Sequence, residues 1–298
     1  VFGLYAAGEI KNADGNTVVS KDTVISTVTT NGEGKAVFSA DLPIGFGYYV
    51  KEIQAPENYL KSSEDTYSFQ FDPANGSEAK VSFSYTFTDK RATATIQLQK
   101  VDLETGAGIP QGDASLEHAV YGLYARKDIV HPDQKSGVIH KAGDQVATLT
   151  TDREGKAKIE NLYLGEYFVK EITPPAGYLA DENEYDLICD YEGENTAVIE
   201  RSCTSPEQVV KQPFQIVKAA NNGETDAGLL AGAGFTAYLL SSLQTKEDGG
   251  YDFESATPVV LGSNGETEIF TDENGYACSI ALPFGTYIVR ESTTPDNY

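Results

Sequence analysis

Apolar and polar residues alternate with a period of two along most of this chain, in short runs broken by Gly, Asn, Asp and Pro. Such alternation puts successive side chains on opposite faces, so each run predicts a β-strand with one face toward a core. A helical period is weak throughout, and turn residues recur at strand-and-turn spacing. The runs come in sets. VFGLYA (1–6), VYGLYA (120–125) and GFTAYL (234–239) form one set, and IQLQK (96–100) with FQIVK (214–218) another. FGYYVKEIQAPENY (46–59), GEYFVKEITPPAGY (165–178) and GTYIVRESTTPDNY (285–298) form a third. TTNGEGKAVF (29–38), TTDREGKAKI (150–159) and FTDENGYACSI (270–280) read as turns entering a strand, with Gly34, Gly155 and Gly275 where positive φ is needed. Asp152 and Asp272 belong to these β-turns, because the spaced acids and closing glutamate of a calcium loop are missing.

The repeat sets the domain organisation. Glu52 and Glu171 are 119 residues apart and Glu171 and Glu291 are 120 apart, too long for a solenoid and suited to a string of domains. The expected fold is all-β, a tandem array of three antiparallel β-sandwich modules at residues 1–91, 92–211 and 212–298. The first lacks the opening strand that IQLQK and FQIVK supply elsewhere, and the third lacks a closing strand. VSFSYTFTD (81–89) closes the first module and leads within a few residues to Ile96, a joint short enough to predict a semi-rigid rod. Segment 126–147, with His131 and His140, reads as an inserted solvated loop.

Composition narrows the function. The chain of 298 residues carries 22 basic and 45 acidic residues, a net charge of −23, with no basic cluster. That excludes nucleic acid and anionic membrane as expected partners. The 18 Tyr and 13 Phe in alternating runs favour folded β structure over disorder. No run reaches the roughly 20 apolar residues of a membrane span, and no signal peptide is present. The absence of Met fits an oxidising exterior and a chain that starts inside a longer protein. Cys189, Cys203 and Cys278 lie in no metal spacing, and a hairpin turning near Gly193 would not place the first two opposite each other. Three small buried thiols are expected, with no metal and no cofactor.

Parity exposes candidate chemistry. Tyr48, Val50 and Glu52 share a strand face, as do Tyr167, Val169 and Glu171, and Tyr287, Val289 and Glu291. A carboxylate on a core face calls for a partner. Lys100 shares a face with Ile96 and Leu98, Lys218 with Phe214 and Ile216, and Asp89 with Val81, Phe83, Tyr85 and Phe87. A lysine in apolar surroundings is a nucleophile with lowered pKa, and a buried glutamic acid can shuttle a proton. Beside an Asn or Asp carbonyl, that set would make an intramolecular isopeptide bond once, without turnover. The bland alternative is a buried Lys–Glu ion pair that fixes strand register.

The order of a strand ending in Lys (LQKVD, IVKAA), then GLYA, a TDxxG turn and GxYxVKExxxPxxY resembles the Cna-B or SpaA-type repeats of Gram-positive surface proteins and pilins, over essentially the whole chain. The resemblance implies a prealbumin-like, reverse immunoglobulin-like sandwich, extracellular display and covalent attachment to peptidoglycan by sortase. It also implies a Lys to Asn or Asp isopeptide bond promoted by the motif glutamate. Carried over, Glu52, Glu171 and Glu291 match the promoting acid, Lys100 and Lys218 the lysine, and Asp89 the acceptor. The first module's lysine would precede Val1 and the third's acceptor would follow Tyr298. In the second module the acceptor stays open. Glu207 stands 11 residues before Lys218, as Asp89 does before Lys100, but its run SPEQVVKQPF lacks a clean alternation, and Asn195 and Asp190 lie nearer a turn. The expected function is a non-enzymatic stalk or spacer of an adhesin or pilin, with any host-surface or matrix ligand engaged by other parts of the protein. The competing reading is a glycan- or matrix-binding module using loop aromatics such as Tyr49, Tyr163 or Tyr251. Enzyme signatures such as GxSxG, HExxH or a phosphate loop are absent.

Overall fold

A computed structural model of the chain describes residues 1–62, 65–71, 81–221, 228–296 and 298. The second module shows how alternation becomes a sandwich. One sheet orders the strands Gln145–Thr150, Val120–Ala125, Gly165–Thr173 and Glu184–Cys189, all antiparallel. The facing sheet orders Lys156–Leu162, Thr93–Asp102 and Val198–Glu207. Inward residues of both sheets interlock as one core, with Ile96, Leu98, Tyr121, Leu123, Tyr167, Val169, Leu187 and Ile199 all buried. One pair departs from the antiparallel expectation. The closing strand Val198–Glu207 runs parallel to the opening strand Thr93–Asp102, with Ser205 opposite Lys100 and Glu207 opposite Asp102. Both ends of the module therefore meet side by side.

The first and third modules repeat the first of these sheets. In the first module Val24–Val28, Phe2–Ala6, Gly47–Glu52 and Thr66–Gln70 take the same order, and in the third Glu268–Phe270, Gly234–Leu239 and Tyr287–Thr293 do. A tyrosine in each, buried in the first two and half-buried in the third, donates its hydroxyl to a nearby backbone carbonyl, Tyr48 to Pro43 at 2.7 Å, Tyr167 to Tyr163 at 2.6 Å and Tyr287 to Pro283 at 2.8 Å. These bonds satisfy the polar tip of a ring whose body fills the core.

The facing sheets differ. In the third module it consists, among the described residues, of Gln215–Val217 paired with Tyr276–Cys278. In the first module residues 81–89 form no ladder, contrary to the expected closing strand, although their alternation is kept. Phe83 stacks on Phe69 at 4.9 Å, Tyr85 on Tyr67 at 4.8 Å, and Phe87 meets Phe2 at 4.8 Å. The physical reason is pairing: the matching strand of the second module is held by Thr93–Asp102, and no described residue takes that position in the first. Val81, Phe83 and Tyr85 consequently stay exposed.

Two other expectations need correction. Residues 126–147 are not a solvated loop, because Ile129–Val130 and Val138–His140 pair as a hairpin matching Ile10–Lys11 with Thr17–Val19 in the first module. Ile129 and Ile10 anchor the two hairpins in their cores, and the His131 ring lies 5.6 Å from Tyr163. Cys278 is exposed, whereas Cys189 is buried and Cys203 half-buried. In its short strand Ala277 takes the inward position and turns Cys278 outward. Burial raises both the Cys189 and Cys203 thiols to about 11.

The joints combine main-chain and side-chain contacts. Tyr59 pairs with Arg91 and Tyr178 with Val209, the same register in consecutive modules. At the first joint Lys61 N donates to Glu194 O at 3.1 Å, and the Arg91 guanidinium donates to the Asn161 and Leu162 carbonyls at 2.9 Å while lying 4.2 Å over Tyr163. At the second, Lys211–Gln212 pairs with Leu282–Pro283, Phe284 N donates to Val210 O at 2.8 Å, and Thr286 N donates to the Asp113 carboxylate at 3.1 Å. No helix among the described residues is long and apolar enough to cross a membrane.

Candidate functional site

The turn glycine positions the lysine. Gly155 has φ 73° and Gly275 φ 67°, the left-handed region that favours glycine. A Cβ on Gly155 would lie 2.6 Å from Lys100 O, and one on Gly275 2.5 Å from Lys218 O. The close approach lets Lys100 N donate to Gly155 O at 2.8 Å and Lys218 N to Gly275 O at 2.7 Å. The aspartate of each turn holds the loop shut, since Asp152 accepts from Glu154 N and Lys156 N and Asp272 from Asn274 N and Tyr276 N. Both aspartates thus serve β-turns.

Lys100 and Glu171 meet as their parity requires. The Lys100 ammonium is fully buried, 3.4 Å from Glu171 Oε1 and 5.3 Å over the Tyr178 ring. Glu171 Oε2 accepts from Asp181 N at 2.8 Å. Burial drives the Lys100 amine down to about 8, and the negative Glu171 beside it limits the fall. A usable share of neutral amine therefore exists near neutral pH.

A second carboxylate completes this cluster. Glu207, at the end of the closing strand and 2% exposed, forms an ion pair with Lys100. Its Oε1 accepts from Tyr121 OH at 2.6 Å, with Ser205 Oγ 3.3 Å away. Ser205 Oγ in turn donates to Asp181 Oδ2 at 3.1 Å, and Tyr185 OH donates to the same oxygen at 2.5 Å. Burial pushes the Asp181 carboxyl up, but hydrogen bonds from Tyr185, Asn183 and Ser205 outweigh it and leave the carboxyl below its ordinary value. Tyr121 is pushed well above its ordinary value, chiefly by burial.

Glu207, Tyr121, Ser205 and Asp181 were not assigned from sequence. Glu207 carried one signal, the 11-residue interval to the next lysine, and was left open because its run lacks a clean alternation. Pro206 is accommodated because the closing strand is an edge strand, where its missing N–H breaks no ladder. Ile199, Ser205 and Glu207 are all buried on its inward face. Asn195 and Asp190 lie in the segment before the strand and are not among the carboxylate or amide partners of Lys100.

In the third module Lys218 Nζ is 2.7 Å from Glu291, with side chains 27% and 33% exposed, so the pair is wetter than its counterpart. In the first module Glu52 is buried and accepts from Ser62 N at 3.2 Å. The Asp89 carboxyl lies near enough for its charge to act on Glu52, and no lysine joins them among the described residues. Burial raises the pKa of both groups, and the Asp89 charge raises Glu52 further. Glu52 Oε1 and Asp89 Oδ1 are buried without a donor, a pairing that a shared proton or a cation would satisfy.

The proposed ligand-loop aromatics are engaged internally in two cases. Tyr49 is a strand residue stacked on Tyr5 at 5.0 Å, and Tyr163 lies beneath Arg91. Tyr251 is 39% exposed beside Phe253.

Comparison with known proteins identifies the architecture. The family described as the SpaA prealbumin-like fold domain matches residues 1–86, 94–202 and 214–298. Among solved structures, the Bacillus anthracis TIE protein superposes with a TM-score of 0.56 at 22% identity, covering 99% of this chain and 42% of that one. The chain thus spans well under half of that relative's length. A streptococcal ancillary pilin matches 86% of this chain and 69% of its own at 21% identity, TM-score 0.29. The shaft pilin spaA from Lactobacillus rhamnosus GG matches 70% of this chain and 89% of its own at 18% identity, TM-score 0.27. No curated protein matches. With nearly its whole length matched in three consecutive copies, the chain belongs to the SpaA prealbumin-like fold domain family.

Proposed function

We propose that this chain is a non-enzymatic stalk or spacer segment of a Gram-positive surface protein of the adhesin or pilin type, displayed outside the cell and attached to the wall by sortase. The observation that carries this reading is the serial construction: three sandwiches of one family, at about residues 1–91, 92–211 and 212–298, joined by main-chain hydrogen bonds. A chain held this way transmits tension through backbone ladders and has little freedom at its joints. Sites that bring an opening-strand lysine to a motif glutamate, Lys100 with Glu171 and Lys218 with Glu291, support a cross-linking role. Glu52 with Asp89 supports the same role in the first module, where a lysine-ended strand would supply the amine.

The test is made on cells that produce the whole protein. Antibody to the second module should label intact cells, and the protein should stay with walls boiled in detergent until muramidase releases it. Deleting residues 92–211 should lower the label height of whatever lies distal without abolishing display. Recovery from the cytoplasm, or release by detergent alone, would refute the proposal.

A further inference from the structure

The second module differs from its neighbours in a way the glutamate motif does not account for. Tyr121 stands opposite Glu171 in register, where Phe2 stands opposite Glu52 and Phe235 opposite Glu291. Two residues before the closing-strand acid, Ser205 replaces the Phe87 of the first module. The first module thus combines an aspartate with a Phe–Phe contact, and the second a glutamate with two hydroxyls. The extra methylene of Glu207 carries its carboxyl to those hydroxyls, where Tyr121 OH donates to Oε1 at 2.6 Å and Ser205 Oγ lies 3.3 Å from the same oxygen.

The two carboxylates beside Lys100 are not equivalent. Both oxygens of Glu171 accept ordinary hydrogen bonds, one from the lysine and one from Asp181 N. Glu207 has one oxygen held by the Tyr121 hydroxyl and the other, Oε2, without a hydrogen-bond donor except the lysine it abuts. A carbonyl oxygen held by donors is stabilised as negative charge develops on it, and the oxygen left free is the one that can depart. The site is dry, with lysine and both glutamate side chains at most 1% exposed. Fixed, desolvated neighbours of this kind reach effective concentrations of about 10⁵–10⁸ M.

We infer that Lys100 and Glu207 join in an intramolecular amide, with Glu171 relaying protons and Tyr121 supporting the carbonyl oxygen. The inference rests on the cross-linking reading above and assigns an acceptor outside the Asn or Asp of the family resemblance. Starting from the ion pair, Lys100 Nζ attacks Glu207 Cδ. The Nζ–Cδ bond forms, the Cδ–Oε2 bond breaks, and two of the three Nζ protons pass by way of Glu171 to Oε2, which leaves as water. No oxidant or co-reactant is consumed. The product ties the opening strand to the closing strand within one parallel pair.

The experiment is the intact mass of purified residues 1–298, followed by tandem mass spectrometry of a digest. The expected result is a mass short by one water and a branched peptide joining Lys100 to Glu207. Glu207→Ala restores the full mass, while Glu207→Gln gives the same tied product by losing ammonia. Glu171→Gln leaves the chain untied, and Tyr121→Phe slows tying by on the order of 100-fold, seen as a mixture of masses in fresh protein. Full mass in wild-type protein whose 93–102 and 198–207 amides are protected from exchange overturns the inference, as does a branch mapping to Glu171 or Asp181. Full mass would leave wall display, tested separately, untouched.

Discussion

Gly155→Ala and Gly34→Ala place the same residue at nearly the same backbone angle, φ 73° and 74°, in two turns of the same design. The local cost of an L side chain in the left-handed region is about 1–2 kcal/mol in both. Their surroundings differ. Nothing lies within 4 Å of the Cβ that would be built on Gly34, whereas the one on Gly155 meets Lys100 O at 2.6 Å and Leu116 Cβ at 3.3 Å. Backbone cannot swing aside as a flexible side chain would, so the strand carrying Lys100 must move, weakening the 2.8 Å bond from Lys100 N to Gly155 O. Losing that bond adds about 1 kcal/mol, and the displaced packing adds a similar amount. Gly155→Ala should therefore destabilise its sheet by about 3 kcal/mol, about 2 more than Gly34→Ala costs its own module, a difference of roughly 30-fold in the opening equilibrium. Hydrogen exchange read peptide by peptide measures this in the intact chain, since three modules need not unfold as one. Protection across residues 93–102 should fall in Gly155→Ala and persist in Gly34→Ala. Equal losses in the two variants, or unchanged protection of 93–102 in Gly155→Ala, would refute the clamp.

Two further outcomes follow from the same geometry. Glu52 and Asp89 have raised pKa values in the folded first module, so the protonated pair favours the fold at low pH. That contribution is lost as pH rises from the ordinary carboxylate range through the raised folded values. Urea midpoints from first-module NMR resonances should be higher at about pH 4 than at about pH 7, and Glu52→Gln should flatten the difference. Arg91→Ala removes three hydrogen bonds of 2.9 Å to Asn161 and Leu162 and a cation–π contact, loosening the first joint by about 2 kcal/mol. NMR relaxation should then show the first module tumbling more independently of the second, and unchanged correlation times would count against the joint.

Much of this was legible because strand parity is a binary code that burial enforces. Tyr48, Val50 and Glu52 are buried on alternate positions, as are Tyr167, Val169 and Glu171. Glu291 follows the same parity yet is partly exposed, because a sequence pattern names a face and not how fully the opposing sheet covers it. The turn glycines were legible for a similar local reason. Tyr121 was not, since a buried tyrosine and a buried phenylalanine occupy the same position in the pattern, and only the neighbour across the sandwich gives its hydroxyl a purpose. Glu207 was obscured because the run SPEQVVKQPF does not alternate cleanly, although an edge strand tolerates its Pro206. The parallel partnership of the first and last strands is a long-range fact that no local alternation encodes.

The joints have a consequence for how such a molecule changes in length. Tyr59 with Arg91 and Tyr178 with Val209 seat each connector in one register. Each connector then docks on the segment that leads into the next module's glutamate strand, at Asn161–Leu162 and at Leu282–Pro283. The docking combines main-chain groups on the receiving segment with, at the first joint, the Arg91 side chain. A module added or deleted whole presents the connector with an equivalent receiving segment. Reach then becomes a matter of counting copies, and recombination between repeats could lengthen or shorten such a chain with refitting confined to the side chains at the new joint.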